Sequence, residues 1–272
     1  MTRTRSRSTV VLALALAPLA LAGCSEKSSA PLAPTASALA TAKPASKAAE
    51  PFTVDKATSK VEFMMEAPKE KIRGRVTGGT EGTLEIDPTD VTKTTGLITV
   101  DLGGLEVFQT TMGDDGKPGE ETKNELQNKH ARTWLEISDD APEAQRKANS
   151  RVEFSIQKID QASEKDVSKM TGADRKVTLK ASGEFLLHGR KSQKTAELEA
   201  TFHYEGGRPV SVTVKTTKPF AVGLAEHEVQ PREAFGKLAA KTLDVLAPKV
   251  AKEALVSVDF TAKGGPAKAG AP

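Results

Sequence analysis

The sequence predicts an all-β fold, an antiparallel β-barrel of about eight to ten strands with one or two short helices. Three observations predict it. Apolar and polar residues alternate along much of the chain from Phe52 onward, turn residues separate the alternating runs, and only two stretches have helical character. Strict alternation is typical of antiparallel strands that bury one face. Strands of this kind bury their apolar faces by rolling into a barrel or by pairing as a sandwich.

The alternating runs define the inner face of the predicted barrel. This face consists of Val61, Phe63, Val100, Leu102, Phe154, Ile156, Phe185, Leu187, Leu198, Phe202, Val212, Val214, Val258 and Phe260. The longest run, from Arg175 to Tyr204, favours a barrel, because long strands suit a closed and tilted sheet. The alternate positions are heavily charged. This favours a polar outer face in water over an outer-membrane barrel, whose strands carry apolar residues outward.

Two stretches interrupt the alternation. Residues 119–132 are polar and helix-prone, and they bridge two predicted strands. Residues 231–255 place Phe235, Leu238 and Leu246 at helical spacing, which predicts a helix packed on the barrel. A lid over the barrel mouth, or an element that touches a membrane, is the alternative for this second stretch.

The N-terminus has the pattern of a secretory signal. Three arginines precede an apolar run over residues 9–22, which is shorter than the roughly 20 residues of a membrane-spanning helix. We therefore expect a signal peptide over 1–23, a disordered Ala/Pro/Ser linker over 24–51, a barrel domain over 52–263 and a disordered tail over 264–272. Without residues 1–23, 36 basic side chains face 36 acidic ones. This balance excludes a basic field for nucleic acid.

The four residues that end this run, LAGC at 21–24, resemble the lipobox of bacterial lipoproteins. In that family the signal is cut before the cysteine, whose thiol and new amino group are then acylated. The resemblance implies that Cys24 carries acyl chains and anchors the protein in the bacterial cell envelope, facing the periplasm. Ser25 in place of Asp slightly favours the outer membrane. An ordinary secretory signal with an incidental cysteine is the alternative.

Several segments, in their order along the chain, resemble the YceI-like family of lipocalin-like barrels. They include FTVDKATSKVEF at 52–63, ETKNELQNKHARTWLEI at 121–137, GEFLLHGRKSQKTAELEATF at 183–202 and VSVDFTA at 256–262. The resemblance covers nearly all of residues 52–262. It implies a secreted barrel and, as in some members, an isoprenoid chain of quinone or polyprenol type held inside. The sequence departs from the family pattern at Thr58-Ser59 and at Ala141-Pro142.

These observations predict a membrane-tethered, extracytoplasmic lipid-binding protein whose fourteen inner-face residues line the ligand. Small inner residues at 181, 183, 196 and 200 leave space that either a ligand or large partners across the barrel would fill. The alternative is a ligand-free envelope scaffold with a filled barrel, and a homodimer is left open.

We expect no enzyme, metal site or other cofactor. The histidines at 130, 188, 203 and 227 lack zinc-ligand spacing, and His188 is predicted to lie in a hairpin turn. Asp114-Asp115-Gly116 lacks the other ligands of a calcium loop and is interpreted as a turn.

Overall fold

The computed structural model describes residues 38–40, 43–67, 70–233, 236–237 and 251–265. The predicted signal peptide, Cys24 and the last seven residues of the predicted tail lie outside this part of the chain. Most of the predicted helix over 231–255 also lies outside it.

The described residues form a β-rich fold with two α-helices. The strands are β1 (Glu50–Val54), β2 (Lys60–Ala67), β3 (Glu70–Thr77), β4 (Thr80–Ile86), β5 (Thr95–Asp101), β6 (Glu106–Met112), β7 (Pro118–Lys123), β8 (Arg151–Ala162), β9 (Asp174–Leu187), β10 (Arg190–Glu205), β11 (Arg208–Lys218), β12 (Phe220–Gly223), β13 (Arg232–Glu233), β14 (Gly236–Lys237) and β15 (Glu253–Gly264). The helices are α1 (Glu125–Trp134) and α2 (Glu143–Asn149).

The main sheet closes on itself as an antiparallel barrel of eight strand positions in chain order. β1 and β2 pair with the same edge of β15 and so form one bent strand. On its other edge, β1 pairs with β4 and β2 pairs with β3, so β3 and β4 form a second bent strand. β5 and β6 form a third bent strand, and β11 and β12 form a fourth along the other edge of β15. β8, β9 and β10 complete the ring. The predicted fold class is confirmed.

One end of the barrel is plugged by its own connections; we call it the closed end. The β4–β5 connection contains the 3₁₀ turn Val91–Lys93, and the β8–β9 connection contains the 3₁₀ turn Val167–Lys169. The Val91 N–H donates to the Lys165 carbonyl at 2.8 Å. Val91, Val167 and Phe52 are each 0% exposed and belong to one core cluster. Apolar side chains therefore fill this end.

The opposite end is covered by α1; we call it the helix end. Asn124 caps the helix by accepting from the Gln127 N–H at 2.9 Å. Buried Asn128 bonds both the N–H and the carbonyl of Val107, each at 2.9 Å, and so pairs with β6 as a neighbouring strand would. These bonds hold the helix across the end of the barrel. Among the described residues, no helix combines the length and apolar character needed to span a membrane.

The predicted helix over 231–255 is wrong at both of its ends. Residues 232–233 pair with 236–237 as the β13–β14 ribbon, and β15 begins at Glu253. Residues 253–256 find backbone partners in β12, with Glu253 opposite Gly223, and these ladder bonds favour the strand. Residues 234–235 and 238–250 lie outside the described part of the chain.

Part of the predicted linker is also not disordered. Residues 38–40 and 43–50 lie along the outer wall of the barrel, and β1 already begins at Glu50. The Leu39 side chain is 6% exposed, and its N–H donates to Glu153 Oε2 at 2.5 Å. Burial and hydrogen bonds of this kind offset the entropy lost on ordering the segment.

Candidate functional site

The barrel encloses an apolar cavity of about 210 Å³. Strands from all around the ring contribute to its wall, and α1 contributes at the helix end. All fourteen residues that the alternation placed on the inner face border this one cavity. Their role as ligand contacts stays a prediction.

Several wall residues point inward and yet remain partly accessible to a molecule the size of water. Val61, Phe63, Phe154, Leu179 and Val258 are half-buried, whereas residues of a close-packed core are fully buried. These residues face the void across the barrel. The interior of this barrel is therefore not filled by its own side chains.

Small residues on β9 and β10 contribute to the space. Ala181, Ala196 and Ala200 border the cavity and are at most 4% exposed. Gly183, the fourth small residue, has a different role. A Cβ on Gly183 would lie 1.9 Å from the Ser155 carbonyl oxygen, at the point where β8 shifts register against β9. Gly183 therefore permits close approach of two strands and leaves no space for a ligand.

The aromatic wall depends on another glycine. Phe63 lies directly opposite Gly74 on the neighbouring strand, and a Cβ on Gly74 would lie 2.0 Å from Phe63 Cε1. The phenyl ring therefore occupies the space that a side chain at residue 74 would need. With a larger residue in place of Gly74, the Phe63 ring would have to turn towards the cavity.

The cavity cover comes from residues that the strand pattern did not include. Ala131, Trp134 and Leu135 border the cavity from the C-terminal part of α1 and the residue after it, and Leu224 and Val229 border it from the loop after β12. The spacing of residues 131, 134 and 135 places their side chains on one helix face, and this apolar face was the sequence signal that could have predicted the cover. The surrounding polar residues obscured it. Trp134 is the only tryptophan in the sequence.

A polar cluster joins the end of α1 to the β9–β10 hairpin. His188 lies in the two-residue turn of this hairpin, as predicted, with φ of 51° before Gly189 at 69°. Its Nε2 lies 3.0 Å from Glu136 Oε2, and its Nδ1 lies 3.0 Å from the His227 carbonyl. A carbonyl only accepts, so Nδ1 carries a proton. The Glu136 contact then needs a second proton, on Nε2 or on the carboxyl group.

His227 lies beside this cluster and is 0% exposed. Its Nδ1 lies 3.0 Å from the Arg190 carbonyl, and its Nε2 lies 3.1 Å from Ser192 Oγ. Burial lowers the pKa of His227, and the nearby Glu226 carboxylate opposes this only in part. Neutral His227 thus donates from Nδ1 and accepts from Ser192. Its ring meets the cavity residue Phe185 edge-on at 5.4 Å.

The charged groups near the cavity are turned away from it. Glu153 is among the bordering residues, but its carboxylate bonds Arg151 Nη2 at 2.6 Å and the Leu39 N–H on the outer side of the wall. The surface that faces the void is apolar. Within the described ranges, no group of three or more His, Cys, Asp or Glu side chains is arranged to hold a metal ion.

This geometry defines a class: a closed, up-and-down antiparallel barrel with a hollow, apolar interior, as in lipocalin-like proteins. A model of the YceI-like domain family matches residues 52–262, which is most of the chain and nearly the whole barrel. The chain belongs to the YceI-like domain family. No curated protein matches the chain.

Solved structures similar to this chain are distant in sequence. Burkholderia cenocepacia BcnA is 14% identical, with a TM-score of 0.46, over 77% of this chain and 99% of that one. A polyisoprenoid binding domain from Saccharophagus degradans, implicated in plant cell wall breakdown, is 13% identical, with a TM-score of 0.47, over 79% and 98%. The Campylobacter jejuni YceI protein is 10% identical, with a TM-score of 0.40, over 69% and 81%.

Proposed function

We propose that this protein binds one apolar, isoprenoid-like chain, of quinone or polyprenol type, inside its barrel. The observation that carries the proposal is the apolar cavity of about 210 Å³. Each CH₂ group moved from water into such a wall contributes roughly 0.8 kcal/mol. Because the surface that faces the void is apolar, a polar head group would stay outside the cavity.

The cavity volume limits how much of such a ligand enters without movement. An apolar cavity of about 150 Å³ takes up a benzene ring, so 210 Å³ holds a short hydrocarbon segment. A longer chain requires the cover to move outward. The cover is α1, which rests on the barrel through a few side chains rather than through a strand ladder. We propose that α1 shifts when a long chain enters.

We further propose that the protein works as a lipoprotein of the bacterial envelope, tethered by acyl groups on Cys24 and facing the periplasm, with the outer membrane favoured. The LAGC motif and the signal-like residues before it support this proposal. Two or more acyl chains give stable anchoring, whereas a single chain is marginal. A tethered barrel would hold or carry its ligand close to the membrane that supplies it.

We propose a binding protein rather than an enzyme, since no acid, base or nucleophile in the described part of the chain points into the cavity. The void also argues against the alternative of a ligand-free scaffold, because that alternative requires a filled barrel.

Trp134 gives a direct test of binding. Its fluorescence is expected to change on titration with a short-chain polyprenol, because its ring borders the cavity. Ala200→Phe places a ring in the void and should abolish the change. Glu199→Phe adds the same ring to the outward-facing neighbour and should leave it intact. Equal responses from both variants would show that the polyprenol binds elsewhere.

A further inference from the structure

The outer wall of the barrel buries a carboxylate that its own strands would leave in water. Glu153 points outward from β8, yet its side chain is 0% exposed. Leu186 lies opposite Glu153 on β9, shares its outward face and is 2% exposed. An outward-facing glutamate and leucine are both covered only where another segment lies over them. At Glu153 that segment includes Leu39, whose N–H donates to the carboxylate.

Four hydrogen bonds define the path of this segment, which we call the strap (residues 38–40 and 43–50). The Leu39 N–H donates to Glu153, and Ser155 Oγ donates to the Ala40 carbonyl at 3.3 Å. Thr95 Oγ1 then donates to the Lys43 carbonyl at 3.1 Å. Ser46 Oγ finally donates to Asp87 Oδ2 at 2.6 Å, close to the start of β1.

The order of these contacts gives the strap a direction. Glu153 lies near the start of β8, directly after α2 and beside the helix end, whereas Asp87 follows β4 at the closed end. The strap therefore enters the barrel wall near the helix end and descends to the closed end, where β1 begins. With the strap bound, the chain leading to Cys24 leaves the wall near the helix end. With the strap released, it would leave from the closed end.

The strap also shortens the tether. A chain spans at most about 3.6 Å per residue, so the 14 residues from Cys24 to Ala38 reach roughly 50 Å. Without the strap, the 26 residues from Cys24 to Glu50 would reach roughly 90 Å. The strap thus removes nearly half of the reach of the tether. It also moves the point where the tether leaves the barrel along the length of β8, whose 12 residues rise about 3.3 Å each.

We infer that the strap, held by Glu153, turns the helix end of the barrel towards the lipid surface. This rests on the proposed acylation of Cys24. The cavity cover then faces the membrane that would supply an apolar chain, and the closed end faces away from it. Leu126, 60% exposed on α1, lies on the side of the barrel that would approach the lipid.

The first measurement tests the strap without any membrane. Hydrogen–deuterium exchange of peptides covering residues 38–47 in the full chain should be slow, and severalfold faster in Glu153→Ala. Leu39→Ser leaves the barrel sequence unchanged and should have the same effect. Glu199→Ala is the matched control, because Glu199 is an outward glutamate paired with Lys176 at 3.0 Å away from the strap. Fast exchange in the unaltered chain would overturn the inference.

The second measurement tests the orientation on the acylated protein in vesicles. Brominated phospholipids should quench Trp134, the only tryptophan, and Glu153→Ala should reduce the quenching severalfold. Trp134→Phe combined with Lys169→Trp moves the single tryptophan to the closed end and should give the weaker quenching. Equal or stronger quenching at the closed end would overturn the orientation, even with the strap protected from exchange. Loss of vesicle binding on Cys24→Ser tests the tether separately; a protein that never binds vesicles would overturn the tether, and the orientation with it.

Discussion

The two ends of the barrel are built from the same strands and are finished differently. At the closed end, two 3₁₀ turns insert Val91 and Val167 into the core, where both side chains are 0% exposed. At the helix end, the cover is a helix with a half-buried tryptophan, and the space beneath it is a void. The closed end therefore supplies the burial that stabilises the fold. The helix end gives up part of that burial and gains room for a ligand.

Substitutions of two phenylalanines on one bent strand should give the largest difference between the two ends. Phe52 is 0% exposed at the closed end, and Phe63 is half-buried at the cavity. We expect Phe52→Ala to lower the free energy of unfolding by about 3–5 kcal/mol, because it opens a hole in a packed core. Phe63→Ala should lower it less, since its ring already borders a void, but should weaken ligand binding. Denaturant unfolding measures the first effect and Trp134 titration the second; equal losses of stability would refute the comparison.

The link between α1 and the β9–β10 hairpin should give the next largest effect. Glu136→Ala removes the partner of buried His188 and should lower the free energy of unfolding by about 1–3 kcal/mol. Glu136→Gln should restore part of it, because its amide can donate to His188 Nε2, although the amide nitrogen no longer accepts from Gln145 Nε2, which lies 2.5 Å from Glu136 Oε2. Unfolding curves of both variants, with Asp139→Asn on the surface as control, decide the matter. Equal losses in the alanine and glutamine variants would contradict this account of the shared proton.

A pH dependence should also originate at the helix end. Burial lowers the pKa of His227 below 6.5, so below that pH the unfolded chain binds a proton that the folded protein excludes. Stability should therefore fall as the pH drops below 6.5, by at most about 1.4 kcal/mol per pH unit from this group. Unfolding measured at several pH values should show a weaker slope in His227→Asn. His203→Asn, at a half-buried histidine paired with Asp174, is the control. An unchanged slope in His227→Asn would exclude His227 as the source.

The smallest effect is expected on the outer face of α1. Leu126→Ser should change the free energy of unfolding by no more than about 0.5 kcal/mol, because the side chain is 60% exposed. Thermal unfolding in solution checks this. A large loss of stability would mean that α1 is buried on both faces, which contradicts its role as a cover.

The sequence predicted best those features that depend on neighbouring residues along one strand. Alternation along each strand determines which side chains share a face, and it placed all fourteen inner residues around one cavity. Contacts between distant segments carry no such signal. The strap meets Glu153 across 114 residues, and its Ala/Ser/Pro composition resembles that of a linker. Nor does alternation distinguish an alanine that leaves space from a glycine, such as Gly183, that lets two strands approach.

The central claim is that the hollow barrel holds an apolar chain. Native mass spectrometry of the protein purified from its own membranes tests this most directly. The account predicts one noncovalent isoprenoid-type lipid per barrel, present in Glu199→Phe and absent in Ala200→Phe. A mass that corresponds to the acylated polypeptide alone, with no added lipid in the unaltered protein, would contradict it.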